Sequence, residues 1–484
     1  MGKKKVLLVN ANPSKNPYAA APVGLCLIAE NIKSDYIVRI FDGAFRNTES
    51  LVEEINSFTP DYIGISIRNV DDYSASEAEK QAGNSYFVPI IDQLFIKPIR
   101  TIFKGTVILG GAGFSIFPIE LLELFEADYG IIGEGEKTFP LLLKALDAGI
   151  LRPRIDGCIG KLDLPILKTK ANNRKQKPLV TSLTNIDLWV DYSLYNVKSA
   201  YPIQTKRGCP HSCIYCSYPL IEGRSYHLRN AVDVVDEIEN VTDRIETNFE
   251  LVDSVFNDPP GHAEKICEEI IRRNLKVKLR TMGVNPGGIT DNLIKLMREA
   301  GFGQIDCTPD SASPKMIANY RKNFTYEQLV RAAEILKNNK LPVMWFFILG
   351  GPGETPETLH QTCDFIENYI HDLDLVSLFE GLRIYPGTAL HSLALDEGLL
   401  NREQSLLKPL FYNSDKTGNG LLGEIITERK KTHANWITSA ESIPDPYLIM
   451  QANALRAQTK TDEPMFKSLL KVKWMSMGKN YRLS

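Results

Sequence analysis

The 484-residue sequence has no long hydrophobic run, no excess of charge of either sign and no histidine before His211. Its longest apolar run, Val343 to Leu349, is far below the roughly 20 residues that a membrane-spanning helix needs. The apolar run near the N-terminus, Val6 to Val9, is too short for a signal peptide. A net charge of −3 argues against a nucleic-acid partner. We therefore predict a cytoplasmic protein with neither a membrane nor a nucleic acid as its partner.

Cysteine is also scarce, and its placement is informative. Eight Cys without a secretory signal predict a reducing compartment rather than a disulfide scaffold. Cys209, Cys213 and Cys216 lie within eight residues in RGCPHSCIYCSYP. Three thiolates can hold three irons of a 4Fe–4S cluster, and the lack of a fourth leaves one iron open for chemistry. The alternatives are a zinc knuckle or three buried thiols, and the absence of a following CxxC or HxxxH pair at zinc spacing disfavours zinc.

With Arg207-Gly208 before the first Cys and Tyr215 before the last, this segment resembles the radical S-adenosylmethionine (SAM) enzymes. The resemblance implies that the three Cys bind a 4Fe–4S cluster whose open iron chelates the amino and carboxylate groups of SAM. Electron transfer would then cleave SAM to a 5′-deoxyadenosyl radical. The resemblance also implies an external electron donor of the flavodoxin or ferredoxin type.

The first 150 residues alternate short apolar runs with helix-compatible stretches. This alternation predicts an α/β domain with a doubly wound parallel sheet, Rossmann-like or flavodoxin-like. The strand-like runs are KKVLLVN, YIVRIFD, YIGISI, VILGG and YGIIG. Polar or glycine-rich residues follow each run, at the edge where such sheets bind ligands. The GGAG turn does not match GxGxxG, which argues against NAD.

Together with the downstream Cys motif, the segments PxGL, SIRNVDD, ILGGAG and IGEGE resemble the cobalamin-binding domain fused to many radical SAM enzymes. The resemblance implies cobalamin contacts from Ser66, Arg68, Asn69, Gly110, Gly111, Gly133, Glu134 and Gly135. The His of the DxHxxG pattern is missing from the matching stretch, Asp42 to Arg46. Cobalamin would therefore be held without a His from this domain. A flavodoxin-like domain that binds nothing is the alternative.

Proline, Lys and Asn accumulate over residues 151–199, which predicts a linker. Six strand–helix units follow over residues 200–395 and fit the partial (β/α)₆ radical SAM barrel that the resemblance implies. Their strands are YPIQTK, FELVDSV, KVKLRTMG, GQIDCT, PVMWFFILG and DLVSLFEGLRIY. Residues 396–484 are predicted to form a small, mainly helical region.

The ends of these strands carry the residues that the resemblance assigns to SAM binding. They are Tyr215, Asp253, Ser254, Asp310, Ser311, Gly350 and Arg383. The usual GGE-type motif after the second strand is absent. The alternatives are that Asp310 and Ser311 only cap a helix and that Arg383 forms a surface ion pair. His211 is expected to face solvent, and no catalytic residue is assigned beyond the cluster ligands.

The sequence therefore predicts a cobalamin-dependent radical SAM enzyme that methylates an unactivated carbon of a small molecule or peptide. Radical cyclisation or rearrangement with the same cofactors is the second reading. A non-enzymatic cobalamin or redox sensor is the third, which the open three-Cys site and the complete barrel disfavour.

Overall fold

The computed structural model describes residues 2–14, 18–72, 86–167, 185–195, 200–417, 420–438, 441 and 445–478. Residues 168–184 and 196–199 of the predicted linker lie outside these ranges. Among the described residues, no helix is long and apolar enough to cross a membrane.

The N-terminal part is built on a six-stranded sheet with the order β2-β1-β3-β4-β5-β6, in which only β6 runs antiparallel. Its strands are β1 (Lys5–Asn10), β2 (Ile37–Asp42), β3 (Tyr62–Ser66), β4 (Thr106–Gly110), β5 (Tyr129–Ile131) and β6 (Cys158–Gly160). The order 2-1-3-4-5 is that of flavodoxin-like sheets, whose ligands bind where the order reverses between the first and third strands. The predicted flavodoxin-like fold is confirmed.

Helices cover both faces of this sheet. They are α1 (Val23–Ile32), α2 (Thr48–Phe58), α3 (Val88–Ile91), α4 (Lys97–Ile102), α5 (Ala112–Ile116), α6 (Pro118–Leu124), α7 (Gly135–Asp147) and α8 (Leu164–Leu167), with a π-helical turn over Asp92–Ile96. Helix α2 illustrates how sequence signals determine where a helix forms. At the N-terminus of the helix, the Asn47 side chain accepts a hydrogen bond from the Ser50 N–H. Leu51, Ile55 and Phe58 then recur at helical spacing and are buried.

The barrel consists of two parallel sheets, β11-β10-β7 and β12-β13-β14-β17. Its principal strands are β7 (Tyr201–Ile203), β10 (Asn248–Leu251), β11 (Lys278–Thr281), β12 (Ile305–Asp310), β13 (Val343–Leu349) and β14 (Leu375–Glu380). Isolated bridges from Leu279 to Phe302 and from Val284 to Cys307 join the two sheets. The predicted partial barrel is therefore confirmed, with all six strands where the sequence placed them.

Short antiparallel pairs and helices complete the barrel. The pairs are β8 (Lys206–Arg207) with β9 (His227–Leu228), and β15 (Leu382–Arg383) with β16 (Phe411–Tyr412). The helices are α9 (Tyr218–Ile221), α10 (Ala231–Thr242), α11 (His262–Arg272), α12 (Asp291–Glu299), α13 (Pro314–Asn319), α14 (Tyr326–Asn339), α15 (Pro356–Tyr369) and α16 (Ala389–Asp396). Thr325 and Thr355 each cap the N-terminus of the helix that follows, where their side chains accept hydrogen bonds from the Gln328 and Thr358 N–H groups.

The C-terminal region is mainly helical, with α17 (Leu421–Lys430), α18 (Pro446–Thr459) and α19 (Met465–Ser476). It also supplies β17 (Trp436–Thr438), which pairs in parallel with β14 and extends the barrel sheet by one strand. This strand was not predicted, because three residues are too few to show a two-residue periodicity. Trp474 of α19 is fully buried and donates a hydrogen bond to the Asp372 carbonyl at 2.8 Å.

The N-terminal part and the barrel share one hydrophobic cluster. Ile67 and Phe114 of the first sheet region are buried in the same cluster as Tyr320 and Leu390 of the barrel. The two parts are therefore packed together through a continuous apolar core, and this packing brings the carboxyl edge of the first sheet against the Cys loop.

Candidate cluster and cofactor site

A cavity lies at the carboxyl ends of β10 to β13, where barrel enzymes place their active sites. Its lining comes from the Cys loop on one side and from strand ends on the other: Cys209, His211, Cys213, Tyr215, Cys216, Tyr218, Pro219, Ser254, Val255, Asn285, Thr308, Asp310, Lys322, Asn323 and Ile348. The three motif cysteines thus face one cavity, although Cys209 and Cys216 are seven positions apart in the sequence.

The backbone of the Cys loop is fixed at its first turn. Gly208 adopts φ +85°, and a Cβ there would lie 2.0 Å from the Ser225 carbonyl oxygen, so only glycine fits. The Cys209 N–H donates to the Gly223 carbonyl at 3.1 Å. Burial raises the pKa of the Cys216 thiol to about 12 and also raises the pKa of the Cys209 and Cys213 thiols. Metal ligation, which requires thiolates, would therefore release protons.

The three motif thiols line one cavity, which is compatible with a 4Fe–4S cluster. Within the ranges that the structure describes, no three His, Cys, Asp or Glu side chains are grouped so that they could hold one metal ion. In a 4Fe–4S cluster each Cys binds a different iron, so the three thiols need not converge on one point. The assignment of Cys209, Cys213 and Cys216 as cluster ligands remains a prediction.

A buried charged group faces the thiols across the cavity. Lys322 Nζ lies 2.5 Å from Asp310 Oδ2 and 3.3 Å from the Thr308 carbonyl oxygen. Tyr215 donates its hydroxyl proton to the same Asp310 oxygen. Asp310 adopts φ +65° at an irregularity in the pairing of β12 with β13, which turns its side chain into the site. No motif marks Lys322, so the sequence could not have identified it.

Asp310 is not a helix cap. Ser313 occupies the cap position of α13, without a side-chain hydrogen bond. Ser311, which was predicted to bind SAM beside Asp310, points elsewhere: it is fully buried and lies 3.1 Å from the Thr362 hydroxyl. The two neighbours therefore differ, and only Asp310 reaches the cavity.

The two adjacent residues that follow β10, the second barrel strand, also differ in whether they reach the cavity. Ser254 lines the cavity, whereas Asp253 is 3% exposed and turned away from it. The Asp253 carboxylate accepts hydrogen bonds from the Thr205 hydroxyl at 2.5 Å and from the Thr205 N–H at 2.7 Å. Its role is to fix the chain before the Cys loop, so a SAM contact from its side chain is not supported.

Two further predicted SAM residues do not line the cavity. The Gly350 N–H donates to Glu354 Oε2 at 2.5 Å, within the turn that closes β13, and burial raises the pKa of Glu354 to about 7. Arg383 is 6% exposed and donates from Nε to Asp71 Oδ2 at 2.9 Å. The alternative of a surface pair for Arg383 is also wrong, because this ion pair is buried and crosses to the N-terminal part.

His211 does not face solvent as predicted. It lines the cavity, and its Nε2 lies 2.5 Å from Asp258 Oδ2 and 3.2 Å from the Tyr226 hydroxyl. The interaction with His211 is the main reason that the pKa of Asp258 is lowered. The prediction failed because Asp258 is 47 residues away, in the loop after β10, and spacing within the Cys motif carries no information about it.

The carboxyl edge of the first sheet brings the predicted cobalamin residues together. Ser66 and Gly110 end β3 and β4, and Gly133 follows β5. In the loop after β3, Arg68 is exposed and Asn69 is half-buried. A Cβ on Gly110 would approach no atom closer than 3.8 Å. A Cβ on Gly111 would lie 2.5 Å from the Ile67 carbonyl oxygen, so Gly111 allows close packing of loops rather than room for a ligand.

This edge also carries a buried polar atom that has no hydrogen-bond partner among the described residues. Asn12 follows β1 and is 2% exposed, and no described residue hydrogen-bonds its Oδ1 atom. Buried polar atoms are nearly always satisfied, so such an atom indicates a ligand or water. This unsatisfied atom fits a bound polar cofactor. Asn12 was not predicted as a site residue, although its place at the switch point is the signal that could have found it.

The Glu134 side chain pairs with an arginine of the barrel, and its predicted contact with cobalamin stays a prediction. Arg207 of the barrel lies 3.0 Å from Glu134 Oε1 and 2.6 Å from Glu136 Oε1. The turn Gly133 to Glu136 is thus tied to the strand that leads into the Cys loop, two residues before Cys209.

Comparison with known proteins agrees with this architecture. Residues 14–143 match the family model of the B12-binding domain, and residues 203–366 match that of the radical SAM superfamily. An uncharacterized methyltransferase of Pyrococcus horikoshii is 26% identical over 390 residues, covering 78% of this chain and 79% of the relative. The tryptophan 2-C-methyltransferase of Streptomyces laurentii is 23% identical over 451 residues, covering 79% and 73%.

The fold is also found in a solved structure. The radical SAM methyltransferase TsrM from Kitasatospora setae, with tryptophan substrate and a SAM analog bound, superimposes with a TM-score of 0.78. The two sequences are 20% identical, and the alignment covers 98% of this chain and 99% of TsrM. At that identity the likeness establishes the fold.

Fold, site and family matches define a radical SAM enzyme with an N-terminal B12-binding domain. The chain carries both a B12-binding domain and a radical SAM domain, as the sequence predicted.

Proposed function

We propose that this enzyme transfers a methyl group to an unactivated carbon of a small molecule or peptide, using a 4Fe–4S cluster, SAM and cobalamin. The supporting observation is that the edge proposed to hold the cluster and the edge proposed to hold cobalamin are joined by an ion pair. The three thiols face a cavity at the barrel's carboxyl edge, and the carboxyl edge of the B12-binding domain is tied to the same loop through Arg207.

The cavity suits a charged ligand beside a cluster. Cys209, Cys213 and Cys216 would hold the cluster, and the buried ammonium of Lys322 would offset its negative charge and attract the SAM carboxylate. The Asp310 carboxylate holds this ammonium in place, while Ser254 and Asn285 offer hydrogen-bonding groups on the facing wall. SAM would therefore be oriented by side chains that are themselves fixed by burial.

The N-terminal edge would hold cobalamin without a histidine ligand. Gly110 ends β4 at this edge, Asn12 offers an unsatisfied acceptor, and the loop after β3 carries Arg68 and Asn69. When bound, the two cofactors supply a methyl group and a radical that removes a hydrogen atom from the substrate. The chain's part is to position them and to exclude water from the reacting groups.

A cluster of this kind needs an external electron donor, which we propose to be of the flavodoxin or ferredoxin type. All eight cysteines are free. Free thiols and an oxygen-sensitive cluster both favour a reducing compartment, so we place the enzyme in the cytoplasm.

Anaerobic incubation with methyl-labelled SAM, reductant and a fractionated small-molecule extract tests this function. Methyl transfer predicts S-adenosylhomocysteine that forms only after cobalamin loading, together with label in a new product. Rearrangement predicts 5′-deoxyadenosine without label in the product, and a sensor predicts no turnover. The triple variant of the three motif cysteines to Ala provides the baseline.

A further inference from the structure

Two arginines of the barrel reach across to the B12-binding domain. The first is Arg207 in β8, which is 8% exposed and pairs with both Glu134 and Glu136. Its Nε donates to Gln204 Oε1 at 2.8 Å, so the guanidinium is also held from the barrel side. The loop after β5, which carries Gly133 and Gly135, is thereby attached to the barrel.

The second arginine is Arg383 in β15. It pairs with Asp71, and both side chains are at least 96% buried, with exposures of 4% and 1%. Arg383 Nη2 donates to the Leu406 carbonyl at 2.8 Å, which fixes the guanidinium within the barrel. Asp71 follows the loop of Ser66 to Asn69, and Tyr385 also donates to it at 3.3 Å. The loop after β3 is thus attached to the barrel as well.

These contacts connect the two cofactor edges. The loops after β3 and β5 carry six of the eight predicted cobalamin residues, and each is held by a buried arginine. Separating a buried ion pair leaves a charge without compensation, so the loops cannot move independently of the barrel. On the other side of Arg207, the Gly208 N–H donates to Glu222 Oε2 at 3.0 Å and Cys209 follows directly.

We propose that Arg207 is a positioning residue that couples the cobalamin loop after β5 to the cluster loop, while Arg383 holds the loop after β3 to the barrel. Binding of cobalamin then orders the strand that leads to Cys209, and binding of SAM at the cluster orders the turn of Glu134 and Glu136. This inference rests on the proposed cofactors. Because coupling between two sites is reciprocal, each ligand changes the affinity of the other by the same factor, typically 5- to 150-fold.

Replacement of Arg207 tests the coupling in cluster-loaded protein under anaerobic, non-reducing conditions, so that no turnover occurs. Dissociation constants of hydroxocobalamin, followed by absorbance, are measured without and with saturating SAM. Those of SAM are measured without and with hydroxocobalamin. We expect a coupling factor of about 10 in the wild type and about 1 in Arg207→Gln.

Arg229→Gln is the matched control. Arg229 pairs with Glu237 at 2.7 Å, and the two side chains are 7% and 3% exposed, but both belong to the barrel. This variant loses a comparable buried pair and should keep the coupling. The charge exchange Arg207→Glu with Glu136→Arg should restore part of it. Should Arg207→Gln fail to fold, Glu134→Gln with Glu136→Gln opens the same contact from the other side.

The outcomes separate this inference from the proposed function. Coupling that persists in Arg207→Gln, or that is lost equally in Arg229→Gln, overturns the positioning role. A wild type that binds both ligands independently overturns it too, and leaves the cofactor assignment intact. A wild type that binds no hydroxocobalamin overturns the cofactor assignment itself, and the coupling with it.

Discussion

The Lys322 ammonium lies 2.5 Å from the Asp310 carboxylate, and both side chains are more than nine-tenths buried beside the three motif thiols. A pair in such a place is held by mutual attraction, and neither partner can be removed alone without leaving a buried charge. The pair therefore contributes to the stability of the barrel's carboxyl edge and also to the proposed binding of SAM there.

Asp310→Asn, alone and combined with Lys322→Met, should distinguish the effect of the pair on stability from its effect on SAM binding. The single variant leaves the Lys322 ammonium uncompensated and should lower the free energy of unfolding by about 3 kcal/mol. Adding Lys322→Met should recover most of that loss but not the affinity for SAM. Urea unfolding and SAM binding measure the two quantities, and wild-type affinity in the double variant would contradict the proposed site.

Ser311→Ala is the matched comparison for Asp310, since the two residues are adjacent. Ser311 contacts Thr362 away from the cavity, so its loss should reduce stability by about 1 kcal/mol and leave SAM cleavage unchanged. The readouts are unfolding and the rate of 5′-deoxyadenosine formation. A large loss of cleavage with intact stability would show that Ser311 reaches SAM after all.

Replacing Cys209, Cys213 and Cys216 together by Ala should abolish the cluster. Reconstituted wild type should carry about four irons and four sulfides at this site, and the variant should carry none. Cys267→Ala with Cys363→Ala removes two buried thiols from the barrel helices and serves as the control. Iron retained by the triple variant, or zinc in the wild type, would falsify the cluster assignment.

Gly110→Val should weaken cobalamin binding by at least tenfold while leaving the fold intact. The first atom of the new side chain would make an ordinary contact with the Ile131 carbonyl oxygen at 3.8 Å, so the substitution should not displace protein at that atom. Gly111→Ala is unsuitable for this test because its Cβ would meet the Ile67 carbonyl. Hydroxocobalamin titration gives the affinity and circular dichroism verifies folding; unchanged affinity would place the cofactor elsewhere.

The pKa of His262 predicts an acid-sensitive step in stability. Burial, with help from the nearby Lys206 charge, lowers the pKa of His262 from 6.5 to about 4. The unfolded chain therefore binds a proton that the folded chain does not, and stability falls as the pH drops from about 6.5 towards 4. The loss at pH 5 should be on the order of 2 kcal/mol relative to pH 7.5.

His262→Gln tests this origin. His262 Nε2 lies 2.8 Å from the Thr205 hydroxyl, which itself donates to Asp253. Glutamine can keep the hydrogen bond but cannot take up a proton, so the variant should show a shallower loss between pH 7 and 5. Thermal unfolding of the cluster-free protein over this range gives the comparison, and equal slopes in both proteins would assign the loss to other groups.

Sequence patterns predicted the fold because its strands are short apolar runs that alternate with helices of clear periodicity. They also predicted that Cys209, Cys213 and Tyr215 lie close together, because these residues are neighbours in the chain. Side-chain direction was not accessible. Asp253 and Ser254 are adjacent, as are Asp310 and Ser311, yet only one of each pair lines the cavity.

The missed contacts share another property. The pairs Arg207–Glu136, Arg383–Asp71 and His211–Asp258 join residues 71, 312 and 47 positions apart. Each depends on how separate elements pack, and no local spacing encodes it. Lys322, which like Asn12 was not predicted as a site residue, lies after a helix and outside any motif.

The strand Trp436–Thr438 means that the protein cannot be divided where its barrel pattern stops. It pairs with Val376, Ser377 and Leu378 of β14, so a fragment that ends near residue 395 would expose these backbone groups as a bare sheet edge. Unpaired edges attract other chains, and such a fragment should precipitate or associate during expression. Strand β17 therefore completes the barrel sheet and also covers an edge that would otherwise promote aggregation.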